Sequence, residues 1–433
     1  MSAMAHSNLP HSSKASKALL DLFPETTTLD DTGQILLAGV PASELAERFG
    51  TPLYVVDEVS MANRASQLRA ELGTRWPNSR VVFASKAFPA TPIYRTLRDA
   101  GLGADVAGAG ELAMALAANV PPDDIIVHGN AKTHAELEAA IAAGVGLVVI
   151  DNFDDIAKLE RIVTGRQDVL IRVLPDVSVD THEAFETGRL GSKFGLGRAD
   201  AERAITLIQS SSRLNLRGLH MHIGSQICDT APYAEAIKTL STFGTFDIYD
   251  LGGGLGARYS YEDSPPSVTE WLDTLVAAAK EHLPSEAQLI IEPGRSVVAR
   301  SGVTLYRIVS VKPGNPTFVA VDGGMADNLE VALFGQRFEA TIATRVGGGE
   351  TVNLVGRHCE SGDRISSGVP LREPRVGDVV AVPATGAYCY TMANNYNGAL
   401  RPPVVFVNAG NAREVIRRET LKDLMRRDLP PLP

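Results

Sequence analysis

The chain has 433 residues, with 41 Lys or Arg and 51 Asp or Glu, so its formal net charge is −10. This acidic balance argues against a general nucleic-acid-binding protein, and the sequence has no run of about 18 apolar residues that could cross a membrane. Its three cysteines are too few for a disulfide framework, and the N-terminus lacks the apolar core of a secretory signal. We therefore expect a cytoplasmic protein with neither nucleic acid nor membrane as a partner.

Composition divides the chain into four segments. Residues 1–30 are mostly polar and are predicted to be a flexible N-terminal segment. Residues 31–55 contain the strand-like runs QILLAG and TPLYVV, which we expect to pair with the C-terminal domain. Residues 56–305 alternate apolar runs with helical patterns, whereas residues 306–433 contain strand-like runs separated by Gly, Pro and Asn and predict a β-rich domain.

The segment 56–305 contains eight short apolar runs, most of them followed by an amphipathic stretch. The runs are VVFASK (81–86), GADVA (103–107), IIVHG (125–129), LVVID (147–151), VLIRV (169–173), RGLHMHIG (217–224), FDIYDLGGG (246–254) and QLIIEPGR (288–295). Apolar strands that alternate with helices indicate a parallel sheet covered on both faces. Eight units in about 250 residues match the size of a (β/α)₈ barrel, which we predict; an open doubly wound sheet is the alternative.

Functional side chains of such a barrel lie at the C-terminal ends of its strands. The ends of the predicted strands carry Lys86, Asp105, His128, Asn130, His222, Gly224, Ser225, Gly252, Gly253, Gly254, Glu292, Gly294 and Arg295. One end of the barrel is therefore predicted to collect a lysine, two histidines, a glycine-rich turn, a carboxylate and an arginine.

Two of these side chains have both a structural and a chemical interpretation. Lys86 is either an ordinary surface lysine or a desolvated amine that attacks a carbonyl carbon. Glu292 follows an apolar strand, where a carboxylate is usually paired, and Arg295 is an available partner. The chemical interpretation of Glu292 is a carboxylate that faces a ring nitrogen.

The segment GGGLGA (252–257) satisfies a degenerate dinucleotide-binding pattern, but the residues that follow it form a poor helix. It is otherwise a flexible connection, or a nest of backbone N–H groups that binds a phosphate. His222 is either a core residue or an aromatic face that stacks on a flat cofactor. No metal-ligand motif is visible, because the cysteines are far apart and HExxH is missing.

Two further clusters lie in the β-rich segment. HCESGD (358–363) places a thiol beside a carboxylate, and GAYCYTMANNYN (386–397) is rich in Tyr and Asn. Taken alone, each is consistent with a turn between strands.

Together the motifs resemble the fold-type III pyridoxal phosphate decarboxylases, and among them the diaminopimelate decarboxylases of the actinobacterial kind. The resemblance extends from about Pro52 to Asn397 and is carried, in order, by FASKAF, ADVAGAGEL, HGNAK, TGRLGSKFG, HMHIGSQ, DLGGGLG, IEPGR, VDGGMADN, HCESGD and GAYCYTMANNYN. It implies an alanine-racemase-like barrel, pyridoxal 5'-phosphate as cofactor and carboxy-lyase activity. The implied reaction converts meso-diaminopimelate to L-lysine and CO₂.

The resemblance also implies roles for individual residues. Lys86 would bind the cofactor covalently, His222 would stack on its ring, and Glu292 would pair with its pyridine nitrogen. The other residues implied around the cofactor are Asp105, Ser225, Gly252, Gly253, Gly254, Gly294, Arg295 and Tyr388. Cys359 and Glu360 would enter the site of a neighbouring subunit, so the active form would be a homodimer with shared sites. Cys359 would then supply a proton after loss of CO₂, and Glu360 would bind the distal ammonium group of the substrate.

One region departs from the family pattern. After VDGGM the family usually has an Arg and, four residues later, a Tyr, and these hold the distal carboxylate of meso-diaminopimelate. This chain has Glu330 and Phe334 at those positions, and Glu186 where a small polar residue is usual. The residues predicted around the substrate are Arg295, Glu330, Phe334, Glu360, Tyr388 and Glu186. Three glutamates in one pocket would favour a distal cation over a second carboxylate.

Several alternatives therefore stay open. The glutamates could point elsewhere, with Arg337 or Arg189 replacing the clamp for meso-diaminopimelate. The substrate could instead be a basic amino acid, such as D- or L-lysine, ornithine or arginine. A racemase on the same barrel is a further hypothesis, against which HCESGD argues. A non-catalytic cofactor-binding homologue is the last, against which Lys86, Glu292 and Cys359 argue.

Overall fold

A small sheet and one strand of the C-terminal sheet precede the barrel in the chain. The computed structural model describes residues 18–182, 187–189 and 191–429. The elements of this part are β1 (Thr28–Leu29), β2 (Ile35–Leu37), β3 (Val40–Pro41), α1 (Ala42–Phe49), β4 (Leu53–Asp57) and α2 (Glu58–Arg75). Strands β1, β2 and β3 form their own antiparallel sheet. Helix α2 begins at Asp57, whose carboxylate accepts a hydrogen bond from the backbone N–H of Ser60 at 3.0 Å and so satisfies a free donor of the first turn.

Eight parallel strands close into a barrel, which confirms the predicted fold class. The strands are β5 (Ser79–Ala84), β6 (Gly103–Val106), β7 (Ile125–Val127), β8 (Leu147–Ile150), β9 (Gln167–Arg172), β10 (Leu214–His220), β11 (Ile248–Asp250) and β12 (Gln288–Ile291). The helices outside them are α3 (Thr91–Asp99), α4 (Ala109–Ala117), α5 (His134–Ala143), α6 (Phe153–Ile162), α7 (Arg198–Gln209), α8 (Ala231–Ser241) and α9 (Val268–His282). Pairing of β12 with β5 completes the circle.

The interior of the barrel is filled rather than open. An apolar cluster separate from the rest of the core consists of Val82, Ile126, Leu147, Val149, Leu170, Ile248 and Ile290. These residues come from six of the eight strands and alternate with residues that face the helices. Polar side chains follow at the C-terminal strand ends, so the apolar cluster forms the floor of any site in the barrel mouth.

The C-terminal half is built around a mixed sheet. Its elements are α10 (Arg295–Val298), β13 (Gly302–Lys312), β14 (Thr317–Val321), α11 (Glu330–Phe334), β15 (Thr341–Ile342), β16 (Glu350–Val355), β17 (Arg364–Leu371), β18 (Val379–Pro383), β19 (Val404–Asn408), β20 (Asn411–Ile416) and α12 (Leu421–Leu424). The N-terminal strand β4 lies between β13, to which it is antiparallel, and β19, to which it is parallel. Strand β13 begins at Gly302 and therefore crosses the predicted boundary between residues 305 and 306.

None of the helices in the described ranges is both long and apolar enough to cross a membrane.

The loop between β14 and α11 is anchored by the buried carboxylate of Asp327, which accepts hydrogen bonds from the hydroxyl of Tyr306 and the backbone N–H of Gly324. Burial raises the pKa of Asp327 to about 7. The folded chain therefore keeps this proton between about pH 4 and pH 7, where the unfolded chain releases it. Stability must fall as the pH rises through this window, by at most about 4 kcal/mol for a shift of three pH units.

We expect Asp327→Asn, which imitates the protonated acid, to gain stability relative to the wild type as the pH rises from 4 to 7. The free energy of unfolding in urea, measured for both proteins at several pH values, checks this result. Asp322→Asn, in the same loop, is the matched control. If the wild-type and Asp327→Asn curves ran parallel in pH, Asp327 would not hold its proton in the folded chain.

Candidate active site

Four buried polar side chains meet at the C-terminal end of the barrel. His128 follows β7, His220 and Asp250 end β10 and β11, and Glu292 follows β12. Their potential ligand atoms all lie within 4.8 Å of one another. These four groups are close enough to one another to bind a metal ion. The sequence showed no metal-ligand motif, because each group comes from a different strand.

Glu292 is the centre of this cluster and is 4% exposed. Its Oε1 lies 2.6 Å from Nε2 of His128, and its Oε2 lies 3.2 Å from Nε2 of His220. The expected pairing of Glu292 with Arg295 is wrong, because Arg295 pairs with Glu330 in the described residues. Burial opposes ionisation of Glu292, but the two histidines outweigh it and hold its pKa well below the ordinary value.

The pKa values of the two histidines shift in opposite directions. Burial opposes a charge on His128, but Asp105 and Glu292 raise its pKa above the ordinary value. Burial lowers the pKa of His220 to about 4. At neutral pH the cluster therefore contains an ionised Glu292 and a neutral His220, while the neighbouring carboxylates favour the protonated form of His128.

Two more acids of this region, Asp250 in the cluster and Asp105 beside it, have raised pKa values. Burial and the charge of Glu292 raise the pKa of Asp250 well above its ordinary value. Burial likewise raises the pKa of Asp105 to about 7, and its Oδ1 lies 3.8 Å from Nε2 of His128. Negative charge is thus concentrated on Glu292, because neighbouring carboxylates cannot all ionise in a buried site.

Lys86 lies in a single 3₁₀ turn, Ser85–Ala87, directly after β5. Its side chain is exposed, while its neighbours in the turn are buried. Burial, followed by the charge of Lys86, holds the pKa of His222 well below the ordinary value, so His222 is neutral. The turn approaches Gly294 so closely that a Cβ at Gly294 would lie 2.9 Å from that of Ala84. Glycine at position 294 thus keeps the lysine turn against the end of β12.

The glycine-rich turn after β11 lies against the same mouth. A Cβ on Gly253 would lie 2.1 Å from the carbonyl oxygen of Glu292, and Gly252 and Gly254 have φ values of +66° and +111°. The dinucleotide-binding interpretation is wrong because the next helix begins only at Val268. The flexible connection and the phosphate nest both stay open. The N–H of Gly252 donates to Oδ1 of Asp250 at 3.0 Å, and the N–H of Gly253 donates to Nδ1 of His222 at 3.3 Å.

Ser225, Arg295 and Tyr388 come together beside this turn. The Nε of Arg295 donates to Oγ of Ser225 at 3.3 Å, and its guanidinium lies 4.5 Å from the centre of the Tyr388 ring. The backbone N–H of Tyr388 donates to the carbonyl of Ala87 at 2.8 Å. This bond joins the C-terminal domain to the turn that carries Lys86, so residues of both domains lie around the barrel mouth.

The predicted distal residues lie on the other side of Arg295. Glu330 is 1% exposed, and its Oε2 lies 3.4 Å from Nη1 of Arg295. Arg295 also donates to the hydroxyl of Tyr259, and the ring of Phe334 lies 5.8 Å from that of His182. Glu186 lies outside the described residues.

Arg337, one of the proposed replacements for the clamp, is committed elsewhere. Its Nη1 lies 2.6 Å from Glu262, and its Nε lies 3.8 Å from Glu339.

Cys359 and Glu360 are exposed and bonded to the second predicted cluster. The backbone N–H of Cys359 donates to Oδ1 of Asn397 at 3.1 Å, and the hydroxyl of Tyr396 donates to Glu360 at 2.6 Å. These bonds hold the backbone of Cys359 and the carboxylate of Glu360 against the segment 386–397 of the C-terminal domain.

The residues at the mouth fit pyridoxal phosphate. Both oxygens of Glu292 face a histidine, His128 at 2.6 Å and His220 at 3.2 Å. A buried carboxylate that its neighbours keep ionised suits a pyridinium N–H. The lysine amine suits an aldehyde, and the glycine turn with Arg295 suits a phosphate.

The fold and the mouth define an alanine-racemase-like pyridoxal phosphate enzyme. Residues 59–299 match the family described as pyridoxal-dependent decarboxylase, pyridoxal binding domain. The chain belongs to this family and is a pyridoxal phosphate-dependent amino-acid decarboxylase, as the sequence motifs predicted.

Named relatives agree with this assignment over nearly the whole length. Diaminopimelate decarboxylase of Actinosynnema pretiosum subsp. auranticum is 45% identical, over 94% of this chain and 95% of the relative. That of Bacillus subtilis (strain 168) is 41% identical, over 94% and 97%. The crystal structure of diaminopimelate decarboxylase from M. jannaschii superposes with a TM-score of 0.88 at 31% identity, covering 94% of this chain and 98% of that one.

Sequence reasoning gave no role to several residues of the site. His128 was recognised only as a strand end and His220 only as the residue that alternates with His222, while Asp250 and Arg172 were not singled out. Arg172 ends β9 and is 7% exposed. All four residues lie at or just after the last residue of a strand. This position could have identified them, because a buried polar group at a strand end has to find partners in neighbouring strands.

Proposed function

We propose that this enzyme removes the α-carboxyl group of a diamino acid, an amino acid with a second amino group at its distal end. The observation that carries the proposal is the buried Glu292, which His128 and His220 keep ionised at the mouth that also holds Lys86. The first candidate substrate is meso-diaminopimelate, giving L-lysine and CO₂, because the relatives at 45% and 41% identity are named for it.

A basic amino acid such as lysine or ornithine is the second candidate. The buried carboxylate of Glu330 favours it, since a carboxylate beside the substrate's distal end attracts an ammonium group.

The mechanism assigns the observed side chains to separate tasks. Pyridoxal phosphate, when bound, supplies an aldehyde for amines and a ring that withdraws electrons from the α-carbon. Lys86 would hold the cofactor through its amine, and neutral His222 would support the ring face. Glu292, kept ionised by His128 and His220, would accept a hydrogen bond from the pyridinium N–H and so keep that nitrogen protonated. The residues that bind the phosphate are Ser225, Gly252, Gly253, Gly254, Arg295 and Tyr388.

The active form that we propose is a cytoplasmic homodimer with shared sites. Cys359 and Glu360 are exposed on the C-terminal domain and are held in place by Asn397 and Tyr396. In a head-to-tail dimer, Cys359 of one subunit would deliver the proton that replaces CO₂ in the site of the other. All three cysteines are free thiols, which supports a reducing compartment.

Shared sites predict complementation between two inactive variants. An equal mixture of Lys86→Ala and Cys359→Ala subunits is expected to recover about a quarter of the wild-type activity after exchange, since half of the dimers then contain one intact site. CO₂ release after a cycle of dissociation and reassociation measures this recovery. Activity that stays at the level of the separate variants, in subunits shown to have exchanged, would contradict a shared site.

The proposed reaction is tested with a panel of D-, L- and meso-amino acids incubated with the cofactor-loaded enzyme. We expect CO₂ from at least one diamino acid and none from amino acids with apolar side chains. Release from none of the diamino acids would overturn the proposal.

A further inference from the structure

We infer that the carboxylate of Glu330 binds a distal ammonium group, and that it selects substrates whose distal end carries an ammonium without a neighbouring carboxylate. This inference rests on the proposed decarboxylation of a diamino acid and names the substrate class. Lysine and ornithine belong to this class, whereas meso-diaminopimelate does not.

The first observation is an unused acceptor in a buried site. Glu330 is 1% exposed and contacts Arg295 through Oε2 at 3.4 Å, which is a long contact for a charged pair. Its Oε1 has no hydrogen-bond partner in the part of the chain that the structure describes. A buried carboxylate oxygen without a donor is costly, and an ammonium group of a ligand would remove this cost.

The second observation is the position of Glu330 relative to the cofactor end of the mouth. Arg295 joins the two regions, because its Nε donates to Ser225 and its guanidinium stacks on Tyr388, while its Nη1 faces Glu330. Glu330 is therefore one side chain away from the phosphate-binding residues. A substrate that extends past the phosphate would bring its distal end to Glu330.

The third observation concerns charge. A distal carboxylate needs a cation, and the cation at this place, Arg295, already faces Glu330 and the hydroxyl of Tyr259. Arg337, at the surface, is paired with Glu262 and Glu339. A carboxylate that approached Arg295 would also approach Glu330. Repulsion between two charges about 5 Å apart in a partly buried site reduces affinity on the order of a hundredfold.

The inference also agrees with Phe334 on the same short helix. Its ring lacks a hydroxyl, so position 334 cannot donate a hydrogen bond to a distal carboxylate. Helix α11 thus offers an acceptor at its first residue and no side-chain donor at its last.

Cadaverine and L-lysine make a matched pair of probes, because L-lysine is cadaverine with one added carboxylate. Dissociation constants for both are measured on the cofactor-loaded wild type, Glu330→Gln and Glu339→Gln by calorimetry. Glu339 is a second buried glutamate, 2% exposed, that faces Arg337 instead of Arg295. The kcat/KM for CO₂ release from meso-diaminopimelate, D-lysine and L-lysine is measured on the same proteins.

We expect the wild-type enzyme to prefer a lysine enantiomer over meso-diaminopimelate by at least about tenfold in kcat/KM. Glu330→Gln should weaken the binding of both cadaverine and L-lysine on the order of 10- to 100-fold, and should leave kcat/KM for meso-diaminopimelate equal or higher. Glu339→Gln should change none of these values. All three proteins should retain the cofactor, which is measured by its visible absorption. Retention of the cofactor is the control that each variant is folded.

Two results would overturn the inference while the proposed function stands: faster turnover of meso-diaminopimelate than of either lysine, or a cadaverine affinity that Glu330→Gln does not change. A different result separates the two proposals. If no diamino acid releases CO₂ but cadaverine binds in a Glu330-dependent way, the decarboxylation proposal fails and the ammonium site stands.

Discussion

Lys86→Ala is expected to lower decarboxylase activity on the order of 10⁴-fold or more, because removal of a covalent catalytic group leaves only the contribution of binding. The same variant should carry no cofactor that borohydride can attach to the chain. Lys86 is the residue for this role because it leaves β5 at the barrel mouth and its charge acts on His222 and Asp105. Activity is read as CO₂ release, and the attachment site by mass spectrometry of the reduced protein.

The matched control is Lys280→Ala, an exposed lysine on helix α9. It should keep both full activity and the reducible cofactor. A covalent adduct that survives in Lys86→Ala would show that another lysine holds the cofactor.

Glu292→Gln should have the second largest effect, a loss of about 10²- to 10³-fold in kcat with the cofactor still bound. The amide keeps the shape of the side chain but carries no charge that would keep the ring nitrogen protonated. The effect should exceed that of an ordinary buried glutamate, because His128 and His220 both act on this one carboxylate.

Two further variants separate charge from packing. His220→Asn removes one partner of Glu292 but leaves its charge, so a smaller loss, about tenfold, is expected. Glu339→Gln changes a buried glutamate outside the mouth and should leave kcat unchanged. If Glu292→Gln retained activity within a few fold of the wild type, another group would have to hold the proton of the ring nitrogen.

The sequence by itself determined the fold class and the reaction class. Eight apolar runs separated by helical segments are buried when the strands pair in parallel under the helices. Each run can be recognised from its own residues, without knowing which strands it will pair with. Lys86, the glycine turn and Glu292 were identified from their places at strand ends together with motifs that occur in one order. The sequence also identified the change at Glu330, since a charge reversal is visible in a single letter.

Only the tertiary structure decided which of these groups pair. Glu292 is closer along the chain to Arg295 than to His128, yet it contacts His128 and His220, because barrel closure brings β7, β10 and β12 together at one end. Arg295 points away from that cluster to Glu330, 35 residues later. Closure of the barrel also sets the protonation states. The neighbouring histidines keep Glu292 ionised, and burial leaves His220 and Asp250 neutral. The order of residues along the chain shows neither effect.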